Sequence, residues 1–154
     1  MAIEIGQEAP AFTLYSSDKQ PVTLLDLKGK KILLLFFPLA FTSVCTAELC
    51  SIRDNIGLYN NANAEVFGIS VDSPQCLNEF KKQQKLNFTL LSDFNKEAST
   101  AYECLYETFH TWMKGVSKRA AFVIDADGKI AYAEILENAS GLPDFEKINA
   151  VLAL

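Results

Sequence analysis

The stretch Lys31-Ile32-Leu33-Leu34-Leu35-Phe36-Phe37-Pro38-Leu39-Ala40-Phe41-Thr42-Ser43-Val44-Cys45-Thr46-Ala47-Glu48-Leu49-Cys50 decides the fold. Residues 32–37 are wholly apolar, the pattern of a strand buried on both faces of a sheet with parallel neighbours. Pro38 either ends that strand or belongs to a site. Thr42, Cys45 and Glu48 then recur every third residue where a helix begins, which sets them on one side of it. With Thr42 as N-cap, its hydroxyl is expected to accept the Cys45 amide and to touch the sulfur. A thiol in the first turn of a helix sits where the backbone favours its ionised form. Cys45 therefore reads as a nucleophile.

Glu48 stands where a Cys-x-x-Cys motif has its second cysteine, so no thioredoxin-type dithiol is present at this helix start. A bare carboxylate beside a thiolate opposes ionisation of the thiol. Glu48 makes sense there if it holds a cation, and Arg119, one of only two arginines, is the candidate. A guanidinium can bind a carboxylate through two N–H groups and still offer others to the sulfur.

Outward from this stretch, apolar runs and turn residues alternate. Short strands are expected at 11–14 and 22–24, flanking the turn Ser16-Ser17-Asp18-Lys19, and a central strand at 31–37. One helix is expected over 43–60, a strand at 65–71, and a helix from Ser73-Pro74, a cap followed by proline, to about residue 85. A strand at 88–91, a helix over 96–102, a hairpin 120–124/129–135 around Ala126-Asp127-Gly128 and a helix over 143–152 complete the pattern. Alternating strands and helices followed by a hairpin predict an α/β fold, a mixed sheet flanked by helices, with residues 1–154 forming one domain.

The chain has 154 residues, 49% hydrophobic and 21% charged, the balance of an ordinary globular protein. A net charge of -5 argues against nucleic acid or an anionic membrane as partner. The start Met1-Ala2-Ile3-Glu4-Ile5 has neither the basic nor the apolar region of a secretory signal, and the 32–39 run is too short to span a bilayer. Four cysteines without a signal point to reduced thiols and a cytoplasmic location.

Other chemistries fit less well. Cysteine hydrolysis needs a base, and nothing in the sequence brings the lone histidine, His110, to Cys45. The cysteines lack zinc-ligand spacing. Asp125-Ala126-Asp127-Gly128-Lys129 opens like a calcium loop but lacks the later ligands and reads as a hairpin turn. Cys104 reads as a small buried hydrophobe.

Pro38-Leu39-Ala40-Phe41-Thr42-Ser43-Val44-Cys45 resembles the Pro-x-x-x-Thr-x-x-Cys signature of peroxiredoxins, thiol peroxidases on an elaborated thioredoxin fold. Gly6-Gln7-Glu8-Ala9-Pro10-Ala11-Phe12-Thr13-Leu14 is similar to the family's opening strand. Phe67-Gly68-Ile69-Ser70-Val71-Asp72-Ser73-Pro74 resembles a later strand and helix start. Lys118-Arg119-Ala120-Ala121-Phe122-Val123-Ile124-Asp125 resembles the strand that brings in the active-site arginine. The resemblance implies that Cys45 attacks the hydroperoxide and becomes a sulfenic acid. It implies that Thr42 orients thiolate and peroxide, Arg119 stabilises the developing charge, Pro38 shields the sulfur and Glu48 positions Arg119.

The segment 36–42 looks like the alkyl hydroperoxide reductase E group. Cys50 has the resolving-cysteine spacing of the bacterioferritin comigratory, or Q-type, group, and Cys76 lies where other Q-type members carry theirs. The resemblance implies no metal, haem or flavin. It implies hydrogen peroxide and alkyl hydroperoxides as substrates, an antioxidant role, and thioredoxin, a glutaredoxin-like protein or a small thiol as reductant. It also admits a homodimer. The other reading is a peroxide-sensing redox relay or chaperone-like module that uses Cys45 without sustained turnover.

Overall fold

Lys31 and five residues of the apolar run form strand β3 (Lys31–Phe36) at the interior of a seven-stranded mixed sheet. The computed structural model describes residues 3–154. The other strands are β1 (Thr13–Ser16), β2 (Pro21–Thr23), β4 (Ala64–Ser70), β5 (Thr89–Ser92), β6 (Arg119–Ile124) and β7 (Ile130–Leu136), in the spatial order β2-β1-β5-β4-β3-β6-β7. β3 runs parallel to β4 and antiparallel to β6, so the expected parallel neighbour is present on one side only. The helices are α1 (Ser43–Asp54), α2 (Ile56–Asn61), α3 (Pro74–Gln84), α4 (Glu97–Ala101) and α5 (Phe145–Leu152).

Alternation along β3 divides the core. Leu33 and Leu35 join Leu49 and Ile52 of α1, Leu77 and Phe80 of α3, and Ile148 and Leu152 of α5 on one face. Ile32, Leu34 and Phe36 face the opposite side, with Tyr102, Phe122 and Ala98. Both faces are covered, which is why residues 32–36 are all apolar and only Lys31, at the strand's half-buried start, is charged. The Phe36, Tyr102 and Phe122 rings pack with centroids 5.0–5.7 Å apart, and the Tyr102 hydroxyl donates to the Pro10 carbonyl. On the α1 face, a Cβ at Gly68 would lie 2.8 Å from Leu90 Cδ2 and 3.3 Å from Phe37 Cε1, so glycine leaves the room that Phe37 fills just before the Pro38 turn.

Three expectations change. The helix expected over 43–60 breaks at Asn55, whose backbone (φ −117°, ψ 22°) leaves the helical range. The Asn55 side-chain amide donates to the Ser51 carbonyl, the local competition by which asparagine disfavours helix interiors. β1 begins and ends two residues later than expected, because Tyr15 and Ser16 pair with Ser92 and Leu91 of β5. Residues Leu24–Leu27, unassigned from sequence beyond the strand expected at 22–24, form a 3-10 helix.

Candidate active site

The β3–α1 turn carries four of the expected site residues. Pro38 is buried, Thr42 is the N-cap of α1, and Cys45 and Glu48 lie on the inward side of its first two turns with Leu49 and Ile52. Cys45 is 1% exposed and Glu48 is fully buried. Arg119 comes from β6. Ala121 and Val123 belong to the same core cluster as Cys45, and strand periodicity puts Arg119, two residues before Ala121, on that face. The Phe36–Ala120 pair of the antiparallel register brings the start of β6 to the end of β3, where α1 begins.

Arg119 is 1% exposed and joins three elements. Its Nη1 donates to Glu48 Oε1 at 2.7 Å and its Nη2 to Cys45 Sγ at 3.1 Å. Nε and Nη2 also donate to the carbonyl of Ala139, beyond β7, at 3.2 and 3.0 Å. The expected two-point grip on Glu48 is therefore a one-point contact, because Nε and Nη2 are committed to Ala139 and the sulfur. Glu48 Oε2 has no hydrogen-bond partner. Burial raises the Glu48 carboxyl from 4.5 to about 7, against the opposing pull of Arg119.

Thr42 departs from expectation as well. Its side chain makes no capping bond; the hydroxyl donates instead to the Leu39 carbonyl at 2.8 Å. The Thr42 carbonyl accepts both the amide and the hydroxyl of Thr46, which starts the helix without a side-chain cap.

Pro38, Thr42, Cys45 and Arg119 share a cleft of about 420 Å³ with apolar walls from Leu39, Val44, Phe109 and Met113. His110 lines it too, so the histidine that sequence left apart from Cys45 stands at the same opening. Phe109 and Met113 exchange both backbone bonds around a tight loop in which His110 and Thr111 adopt positive φ. Aromatic residues clustered with histidine between two strands were the available signal for this wall, but nothing local told which way the loop folds.

The remaining cysteines lie apart from these contacts, and all four thiols are free. Cys50 is half-buried and donates to Gln84 Oε1 at 3.5 Å. Cys76 sits at the start of α3, its thiol 3.8 Å from Asp72 Oδ1, and burial together with that carboxylate pushes its pKa up. Cys104 is fully buried, and burial raises its pKa to about 12. Among the described residues no cluster of three or more His, Cys, Asp or Glu side chains could hold a metal ion, and no helix is long and apolar enough to cross a membrane.

Residues 5–133 match the AhpC/TSA family. Peroxiredoxin Bcp of Escherichia coli K12 is 37% identical over 131 residues, covering 84% of this chain and 84% of its own. Alkyl hydroperoxide reductase E of Mycobacterium bovis is 38% identical over 136 residues, covering 86% of each chain. The crystal structure of peroxidoxin BcpB from Mycobacterium tuberculosis superposes with a TM-score of 0.84 at 26% identity, covering 97% of this chain and 96% of its own.

Proposed function

Because the chain belongs to the AhpC/TSA family and is a thiol-dependent peroxidase acting on hydroperoxides, we propose that Cys45 is the sulfur that reacts. Its mixed sheet and helices are the thioredoxin-like fold of peroxiredoxins. The observation that carries the assignment is the 3.1 Å contact from Arg119 Nη2 to Cys45 Sγ at the floor of the cleft.

In this reading the Cys45 thiolate attacks the terminal oxygen of the hydroperoxide. An S–O bond forms as the O–O bond breaks, sulfur loses two electrons, and the terminal oxygen stays on sulfur as a sulfenic acid. The leaving alkoxide or hydroxide takes up a proton and departs as alcohol or water. Arg119 meets both the thiolate and the oxygen on which charge develops. Glu48 and the Ala139 carbonyl hold the guanidinium in place, Pro38 closes the sulfur off from bulk water, and Thr42 orients the peroxide. A thiol then condenses with the sulfenic acid, releasing water and leaving a disulfide. Reduction of that disulfide by thioredoxin, a glutaredoxin-like protein or a small thiol returns Cys45. The relay reading is not favoured, since relatives sharing most of this chain are named peroxiredoxin and alkyl hydroperoxide reductase. One sheet spanning β1 to β7, with α5 packed on it, supports reading the whole chain as one domain. Free thiols support a cytoplasmic setting.

The test is mass analysis after one equivalent of hydrogen peroxide, on wild type, Cys50→Ser and Cys76→Ser. Oxidation is expected first at Cys45 in all three; oxidation elsewhere with Cys45 untouched overturns the reading. A persistent sulfenic acid in only one variant names the resolving thiol, and in all three it points to an external one.

Cys50 as resolver carries a structural condition. Residues five apart on an intact helix point about 140° apart, with Cα atoms roughly 8 Å or more from each other, beyond the span of about 7 Å that a disulfide bridges. A Cys45–Cys50 disulfide therefore requires the first turns of α1 to unwind, and the Cys50–Gln84 contact goes with them. Hydrogen exchange of the oxidised protein should show lost protection between residues 45 and 50. Full protection in a protein proven to carry that disulfide contradicts the expectation.

A further inference from the structure

Asp72 follows β4 and lies across the sheet end from the β3–α1 turn. Its Oδ2 accepts the Ala40 amide at 2.8 Å and the Ser70 hydroxyl at 2.6 Å. The Ala40 amide and the Leu39 carbonyl are two ends of one peptide unit, and that carbonyl accepts the Thr42 hydroxyl at 2.8 Å. A carboxylate thus grips the N–H and a hydroxyl the C=O of the same peptide. Asp72 is itself braced: its amide donates to Ser70 Oγ at 3.2 Å, and the Ser92 hydroxyl donates to its carbonyl at 2.6 Å. Between that peptide and Thr42 stands Phe41, with a φ of 67°. A non-glycine residue holds this left-handed conformation where its surroundings over-determine it.

We propose that Asp72 is a positioning residue for the peroxidase reaction, acting on Thr42 through the Leu39–Ala40 peptide; the proposal rests on the reading of Cys45 and Thr42 given above. A hydroxyl has one proton to donate and two lone pairs to accept with. The Thr42 proton is committed to the Leu39 carbonyl, which leaves its lone pairs to receive the O–H of an incoming hydroperoxide in the cleft it shares with Cys45. The direction of that commitment depends on where the peptide plane points, and Asp72 fixes the plane. A carboxylate on the N–H also polarises the peptide and strengthens its carbonyl as an acceptor. Asp72 does not line the cleft; one carboxylate oxygen reaches the β3–α1 turn at the Ala40 amide, and the other faces the Cys76 thiol, whose part in the cycle would follow the peroxide step compared below.

The experiment compares two reactions of Cys45, with hydrogen peroxide and with iodoacetamide, the second of which has no use for an acceptor at Thr42. Asp72→Ala should slow the peroxide reaction about tenfold or more, the scale of leaving a buried amide without its acceptor. Alkylation of Cys45 should change by less than about threefold, since the sulfur keeps its Arg119 partner. Asp72→Asn, whose amide oxygen accepts the same two bonds, should stay within about threefold of wild type. In a Thr42→Val background, Asp72→Ala should add less than about threefold to the loss already present, because the two groups act as one unit. Where Asp72→Ala does not fold, Asp72→Ser, polar but one atom too short to reach the Ala40 amide, takes its place with the same expected loss. An unchanged peroxide rate, an equal fall in both reactions, full additivity with Thr42→Val, or an asparagine variant as slow as alanine each overturns the assignment. Mass analysis of the wild type in the same series separates this from the underlying reading. Cys45 oxidised with Asp72→Ala unaffected removes only the role of Asp72; Cys45 untouched removes the Cys45 reading itself.

Discussion

Arg119→Met is expected to slow the reaction of Cys45 with hydrogen peroxide by about 10²–10³-fold, the range found when one preorganised donor is removed from a site of developing charge. The sulfur loses the N–H that meets it at 3.1 Å, and the cleft loses the guanidinium from its lining. Arg119→Lys should recover little. A single ammonium cannot reach Glu48, the Ala139 carbonyl and Cys45 together, as the planar guanidinium does. Removing the guanidinium also strands Glu48, fully buried and then without an ion-pair partner, a change on the order of 3–5 kcal/mol against folding while the carboxylate is charged. The double variant Arg119→Met/Glu48→Gln separates the two losses. It should regain stability in urea unfolding yet stay slow with peroxide by competition kinetics. Recovery of both would mean that Arg119 serves the fold alone.

Glu48→Gln should change the pH dependence of stability in a defined window. The Glu48 carboxyl is raised from 4.5 to about 7 in the folded chain, by burial above all. Below pH 4.5 the group is protonated in folded and unfolded chains alike, and its contribution to stability is fully present. Between 4.5 and about 7 the unfolded chain ionises first, so stability falls as pH rises; above about 7 the loss is complete. A gap of this size corresponds to about 3 kcal/mol. Unfolding free energies measured from pH 4 to 8 should therefore decline less in Glu48→Gln than in wild type, by about that amount. Coincident profiles would show that burial of Glu48 carries no such penalty. The same protonation bears on the chemistry: with Glu48 neutral, the guanidinium charge is undivided in its action on the sulfur.

Much of the architecture could be read from the chain because β3 is covered on both faces, and such a strand leaves an unbroken apolar run. The three-residue spacing of Thr42, Cys45 and Glu48 put the thiol and the carboxylate on one side of a helix, and both lie on the inward side of α1. Arg119 could be nominated because a bare carboxylate beside a thiol calls for a cation, and it is one of only two arginines and opens a strand. What stayed hidden has a common cause. The third anchor of Arg119 is the backbone carbonyl of Ala139, a group every residue possesses. The Thr42 hydroxyl donates to the Leu39 carbonyl rather than capping the helix, in a turn whose Ala40 amide is held by Asp72, 32 positions beyond Ala40 in the chain. His110 and Met113 reach the cleft through a loop whose path depends on contacts across the fold. The break at Asn55 had a local signal, an asparagine next to Ile56-Gly57, that a long apolar stripe outweighed.

The antiparallel pairing of β3 with β6 brings together groups that are far apart in time as well as in sequence. Cys45 and Arg119 are separated by 74 positions. At synthesis rates of roughly 5–20 residues per second, Cys45 leaves the ribosome several seconds before its arginine exists. Closing so long a connection adds a further search before the two strands meet. A nascent chain thus carries its thiol before the cationic partner exists, and Arg119 reaches Cys45 only once β6 has been made and paired with β3.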